Sequence, residues 1–178
     1  MTPEELISRL ATDLPKLNLK GWVDKEHAVV ELPAANIPEL FKFLKTTPDY
    51  DFKMFLDLTA VDWFEIRKPR FDVVYHLLSI EHNHRLRIKA QVEEGEAVPT
   101  ITKIWEVADW FEREVWDLYG IKFTGHPNLK RILMYDEFKG HPLRKDYPYD
   151  KRQPLIAETW PVRKIQVKMK EADVIHRP

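Results

Sequence analysis

At 178 residues, with 44% hydrophobic side chains, the chain is long enough to bury a core of its own as one domain of moderate size with an appendage. It offers no run of about 18 apolar residues, no charged-then-apolar amino terminus and no cysteine; a membrane span, a secretory signal, disulfides, thiol catalysis and iron–sulfur ligation are therefore not expected, and any redox role must be indirect. The formal charge of -1 hides a split, since residues 1–120 carry 15 basic and 22 acidic side chains and residues 121–178 carry 13 and 7, which suits a basic tail lying on an acidic surface.

In chain order, Thr2-Pro3-Glu4-Glu5 has the form of a helix start, followed by Leu6, Ile7 and Leu10 at helical spacing. Two short strands are expected over 19–23 and 28–32 with a turn at Asp24 to Glu26. Asn36 then caps a second helix whose Leu40, Phe41 and Leu44 face inward, and Pro48 ends it. From Phe52, the even positions Phe52, Met54, Leu56, Leu58 and Ala60 are apolar against Lys53, Asp57 and Thr59, which is strand periodicity. Phe71 to Ile80 reads as a more buried strand. Leu86, Ile88, Ala90 and Val92 alternate with Arg85, Arg87, Lys89 and Gln91, and Glu81 to His84 joins these two runs as a hairpin.

A third helix is predicted over 102–119, with Ile104, Val107, Ala108, Phe111, Val115 and Leu118 on one face, Glu106, Asp109, Arg113 and Asp117 on the other, and Gly120 as its C-terminal cap. Glu112 and Glu114 flank the apolar stripe on opposite sides, too far apart around the helix for a catalytic dyad. Beyond Gly120 no long periodic element follows. The 52 residues after His126 hold six prolines and one glycine, the pattern of an extended arm that needs a partner to order it. The expected division is a core over 1–120 and a basic docking arm over 121–178.

Within the stretch from Glu112 to Pro148, Gly-His-Pro occurs twice, at Gly125-His126-Pro127 and Gly140-His141-Pro142, each soon followed by Leu and basic residues. Two similar rigid turns presenting cations are a recognition surface more often than a catalyst. His126, His141, His82 and His84 read as turn or interface histidines, because no further ligands stand at metal-site spacing. A metal-dependent hydrolase built on the two Gly-His-Pro histidines stays open as a distant reading. Arg131, Arg144 and Lys145 with Tyr135, Tyr147 and Tyr149 could stack on RNA, but no RNP-like or GxxG element accompanies them. Glu112 and Glu114 read as solvated or salt-bridged helix flanks.

The run Ala108-Asp109-Trp110, Glu112-Arg113-Glu114, Trp116 to Ile121, Gly125-His126-Pro127, Arg131-Ile132-Leu133 and Gly140 to Pro148, with the looser block Asp57 to Asp62, resembles the signature of the thirty-kilodalton subunit family of the bacterial NADH-quinone oxidoreductase, respiratory complex I. The likeness covers roughly residues 1–150; the segment after Tyr149 departs from it, and Lys130 stands where arginine is more usual. It implies a two-layer α+β fold with a small mixed sheet in the order helix, two strands, helix, three strands, followed by an extended Pro-rich C-terminal arm. It further implies a non-catalytic peripheral-arm subunit, without a cofactor or metal of its own, docked beside the quinone-site subunit of the proton-translocating complex. Flavin and iron–sulfur clusters would reside in partner subunits, and membrane contact, on the cytoplasmic side of the inner membrane, would come only through the complex. The residues this assigns to the subunit interface are Glu112, Arg113, Glu114, Asp117, Gly120, Gly125, His126, Pro127, Arg131, Gly140, His141, Pro142, Arg144, Lys145, Asp146 and Tyr147. The equivalent subunit of a related membrane-bound hydrogenase or other quinone reductase is the alternative.

Overall fold

Thr2 closes the first turn of α1 (Pro3–Asp13) by a reciprocal capping box, in which the Glu5 N–H donates to its hydroxyl and its own N–H donates to the Glu5 carboxylate. Leu6 and Leu10, one turn apart on that helix, are buried. The computed structural model describes residues 1–151 and 153. After α1, β1 (Lys20–Asp24) and β2 (His27–Pro33) form an antiparallel pair, and α2 (Ile37–Thr46) buries Ile37, Leu40, Phe41 and Leu44. Asn36 precedes α2 but does not cap it through its side chain; its amide donates to the Leu17 carbonyl instead, at 3.4 Å.

The strands β3 (Met54–Asp62), β4 (Phe71–Ser79) and β5 (His84–Val92) complete a five-stranded sheet in the order β1-β2-β5-β4-β3, mixed because β2 and β5 run parallel while the other pairs are antiparallel. The Glu81–His84 hairpin joins β4 to β5 as expected. Helices and sheet enclose one core of leucine, isoleucine, valine and aromatic side chains, with the Phe41 ring set edge-on to Tyr75 and Trp105. The alternate positions of β1, β2 and β5 carry cross-strand polar pairs instead, Arg87 to Asp24 and Gln91 to Glu31, with Lys89 over Trp22. The α+β two-layer architecture implied by the resemblance is thus present, in the implied element order.

Three local readings change. In β3 the register shifts at a bulge between Phe55 and Asp57, so Phe55 is buried while Met54 is exposed, and only from Leu58 onward do the even positions Leu58, Ala60 and Asp62 face inward. The third helix, α3 (Ala108–Tyr119), starts six residues later than its periodicity predicts. The Ile101 N–H donates to the Glu112 carboxylate at 2.8 Å; a continuous helix from Thr102 would hold these groups roughly 15 Å apart, so residues 101–107 turn back instead. Finally, two three-residue strands, β6 (Ala97–Pro99) and β7 (Lys122–Thr124), pair in parallel at either end of that turn and helix, a unit too short to show as periodicity.

Candidate functional site

Gly120 ends α3 in the left-handed conformation, φ +80°, and the chain then returns along the helix it has just left. Ile121 and Phe123 of this return enter the core. What holds the rest is a fully buried carboxylate, Asp117. Its Oδ2 accepts three consecutive backbone N–H groups, from Ile132, Leu133 and Met134 at 3.0, 2.9 and 2.9 Å, while its Oδ1 takes a guanidinium bond from Arg131. Arg131 in turn donates to the carbonyls of Phe138 and Gly140 and lies over the rings of Trp116 and Phe138. Burial pushes Asp117 up, but the three N–H donors and Arg131 outweigh it and hold the group below the ordinary carboxylate range.

His141 bonds the Asp117 carbonyl through Nδ1, at 2.9 Å, with its ring against Gly120. A Cβ added at Gly120 would stand 2.6 Å from that ring. Gly120→Ala should therefore cost the positive-φ penalty of about 1–2 kcal/mol and displace His141 as well; an unchanged denaturation midpoint together with an unchanged His141 NMR signal would contradict this.

A second knot ties the Gly140–Pro148 turn to the sheet. Arg70, at the start of β4, forks onto Asp62 at the end of β3 with bonds of 2.9 and 2.8 Å, and its remaining donors reach Glu94 and Asp146 at 2.8 Å each. Arg144 bonds the same Glu94 and Asp146, and the Lys145 N–H donates to Asp62 across 83 residues of sequence. Both guanidinium groups lie over the Phe71 ring. Arg70 holds Asp146 down to about 2, with help from Arg144. Burial raises Asp62, but Arg70 and the N–H groups of Lys145 and Phe64 bring it below the usual range. Tyr147 stacks on Phe138, and its hydroxyl accepts from the Gln153 amide.

The first Gly-His-Pro turn docks at the other end of α3. His126 accepts the Asn128 N–H on Nδ1 at 3.0 Å, so Nε2 carries the proton, directed at the Asp109 carbonyl and carboxylate at 3.3 and 3.2 Å. Glu112 is fully buried, where a solvated or salt-bridged flank was expected. Arg113 is buried too; it donates to the carbonyls of Lys130 and Arg131 and stacks on Trp110. The polar face expected on α3 is thus real but covered, because residues 130–141 lie on it.

Of the sixteen residues assigned to an interface by resemblance, Glu112, Arg113, Asp117, Arg131, Arg144 and Asp146 are engaged within the chain, as are the ring nitrogens of His126 and His141. Gly125 and Gly140 adopt positive φ, supplying with Pro127 and Pro142 the two rigid turns. The side chains of Glu114 and Lys145 are outward. The two Gly-His-Pro histidines attach at Asp109 and Asp117, about 12 Å apart along the helix, so they do not form one metal site; among the described residues no group of three or more potential ligands is placed to hold a metal. His82 and His84 stack on each other, and His82 bonds the Pro48 carbonyl.

Sequence reasoning missed Arg70 and Glu94 altogether, and noted Asp62 only as part of a motif block. A buried acid ending the Asp57–Asp62 run was the available signal. It also missed three exposed apolar side chains on or beside the returning segment: Trp110 at 59%, Leu133 at 56% and Leu143 at 48% exposure. Large apolar groups left in water next to a rigidly held loop are the mark of a contact surface.

The family of the respiratory-chain NADH dehydrogenase 30 Kd subunit matches residues 30–153. An NADH-quinone oxidoreductase subunit of Caulobacter sp. (strain K31) is 56% identical over 116 residues, which are 65% of this chain and 54% of that relative, so the chain spans about half the length of the relative it matches. Among solved structures, a trypsin-resistant fragment of Nqo5 superposes with a TM-score of 0.61 at 28% identity, covering 71% of this chain and 99% of the fragment. A chain of the membrane-bound sulfane sulfur reductase, an archaeal respiratory membrane complex, superposes with a TM-score of 0.69 at 25% identity, covering 82% and 85%. The chain belongs to the 30 kDa subunit family of respiratory-chain NADH dehydrogenase, complex I.

Proposed function

We propose that the chain is a non-catalytic peripheral-arm subunit of a proton-translocating NADH-quinone oxidoreductase, docked beside the quinone-site subunit and supporting electron transfer from NADH to quinone by holding its neighbours in place. In this reading residues 1–120 are the folding core, joined by Ile121, Phe123 and β7 of the following segment, and the rest of residues 121–178 is the docking arm, pinned to α3 and the sheet as far as about Tyr147. The later part of the arm, from residue 154, lies outside the described residues. Flavin and iron–sulfur clusters belong to partner subunits, and the complex sits on the cytoplasmic side of the inner membrane. No helix among the described residues is long and apolar enough to cross a membrane.

The observation that carries the reading is the division of labour along 107–149. Six charged side chains of the family motif, Glu112, Arg113, Asp117, Arg131, Arg144 and Asp146, are engaged inside the chain, while Trp110, Leu133, Leu143 and Tyr149 are left in water beside outward Glu114, Lys130 and Lys145. An apolar centre with a polar rim is what a subunit contact requires. The likeness to a sulfane sulfur reductase chain favours, as a second reading, the same scaffold role in a related membrane-bound reductase.

Co-expression of the tagged full chain with a homologue of the quinone-site subunit tests this. Co-purification is expected for the native chain, and the Leu133→Ser, Leu143→Ser double variant should bind at least about tenfold more weakly while keeping its melting temperature, since both side chains are exposed. Equal recovery of the quinone-site subunit by the variant would reject this surface.

A further inference from the structure

The chemistry around Glu112 is not used by any docking role, and it has the parts of a proton site. The carboxylate is completely buried on α3 and, among the described residues, has no guanidinium or ammonium partner. Its Oε1 accepts the Ile101 N–H at 2.8 Å, and its Oε2 stands 2.6 Å from Thr100 Oγ1. The Thr100 hydroxyl is in turn 3.0 Å from Thr102 Oγ1, in a bond that can run in either direction. Thr102, only partly buried, lines an open cleft of about 350 Å³ together with Lys103, Glu106, Asp109, Gly125 and Pro127. A hydroxyl chain therefore leads from water to the buried carboxylate.

We propose that Glu112 is a buried proton-binding site filled from solvent through the Thr102–Thr100 hydroxyl pair. With Glu112 ionised, Thr102 donates to Thr100 and Thr100 donates to Oε2. When a proton arrives at Thr102 Oγ1, the proton of that hydroxyl passes to Thr100 Oγ1 and the Thr100 proton passes to Oε2. One proton enters, one O–H bond forms on Glu112, and the chain then points outward. The same three oxygens satisfy both states, so uptake needs no rearrangement of the backbone.

Among the groups facing the site, Asp109 favours occupancy. From α3, Asp109 adds like charge; from β4, the Tyr75 hydroxyl is buried, has no hydrogen-bond partner among the described residues and feels the Glu112 charge; from the turn after β7, His126 Nε2 is 3.9 Å from Oε2 but bonds Asp109. Burial is the largest influence and, with Asp109, pushes Glu112 up to about 7 against the pull of Ile101 and Thr100. A folded-state value above the unfolded one means that the folded chain holds the extra proton between about pH 4.5 and 7, so this stabilisation is complete at low pH and is lost as pH rises through 7.

Carbon-13 NMR of the Glu112 carboxyl in the full chain, assigned with Glu112→Gln, reads the midpoint directly. Near-neutral titration is expected. Thr100→Val removes the donor to the ionised form and should raise the midpoint, whereas Thr102→Val removes the acceptor needed by the protonated state and should lower it, each by about half a pH unit or more. Thr100→Ser, which keeps the hydroxyl and serves if the valine variant does not fold, should leave it in place. A Glu112 midpoint in the ordinary carboxylate range, shifts of the same sign in the two valine variants, or a displaced midpoint in Thr100→Ser would overturn the proposal.

Discussion

Arg70→Met should lower the stability of the chain by about 3–5 kcal/mol at pH 7. The guanidinium is buried and is, among the described residues, the only cation bonded to the buried Asp62, while Glu94 and Asp146 share it with Arg144. Methionine fills similar space and keeps contact with Phe64 and Phe71, so the loss isolates the charge rather than the packing. Asp146 and Glu94 are partly solvated, and screening reduces their share; most of the cost falls on Asp62. The acid response should change with it. Asp62, Glu94 and Asp146 all titrate below their unfolded values, Asp146 at about 2, so in the native chain their stabilisation is present above about pH 4 and is lost as pH falls towards 2. The variant should lack most of that acid-dependent fall. Urea denaturation at pH 7 and pH 3 measures both effects, and an equal fall on acidification in the two proteins would count against the pairing.

Asp117→Ala should release the returning segment while leaving the sheet folded. Three backbone N–H groups would lose their acceptor and Arg131 its carboxylate partner, leaving it only the Phe138 and Gly140 carbonyls, and a broken pair at a fully buried carboxylate costs about 3–5 kcal/mol. Amide exchange at Ile132, Leu133 and Met134 should accelerate by at least about a hundredfold, with β4 and β5 far less affected. Asp117→Asn keeps one acceptor oxygen and should fall between. A variant with native exchange at these three amides would mean that Asp117 is not their anchor.

The sheet and the first two helices were legible because local rules act there without contradiction. Thr2, Pro3 and Glu5 announce α1, and strict alternation from Arg85 to Val92 announces β5. Legibility failed wherever a distant residue decides. The start of α3 is set by Glu112 reaching back to Ile101, and the parity of β3 is reset by a bulge whose pressure comes from packing. The arm shows the same limit: its prolines and lack of periodicity pointed to a segment that a partner subunit must order, whereas residues 121–147 are held on the chain's own core. That core supplies Asp117 and Asp62, whose partners are up to 83 positions away in sequence. The resemblance pointed to the right family, but a motif does not say whether its charges face a partner or each other. Arg113, Asp117, Arg131 and Asp146 are engaged inside the chain, and the exposed Trp110, Leu133 and Leu143 carry the proposed contact.

Amide hydrogen exchange of the full chain on its own, without any partner, most directly tests whether buried carboxylates hold the first stretch of the arm in place. Protection at Ile132, Leu133, Met134 and Lys145, whose N–H groups bond Asp117 and Asp62, is expected to approach that of β4, with faster exchange at the exposed loop positions Asp136 and Glu137. Exchange of those four amides at the rate of an unstructured peptide, with protection gained only on adding the quinone-site subunit, would contradict it and leave the arm ordered by its partner alone.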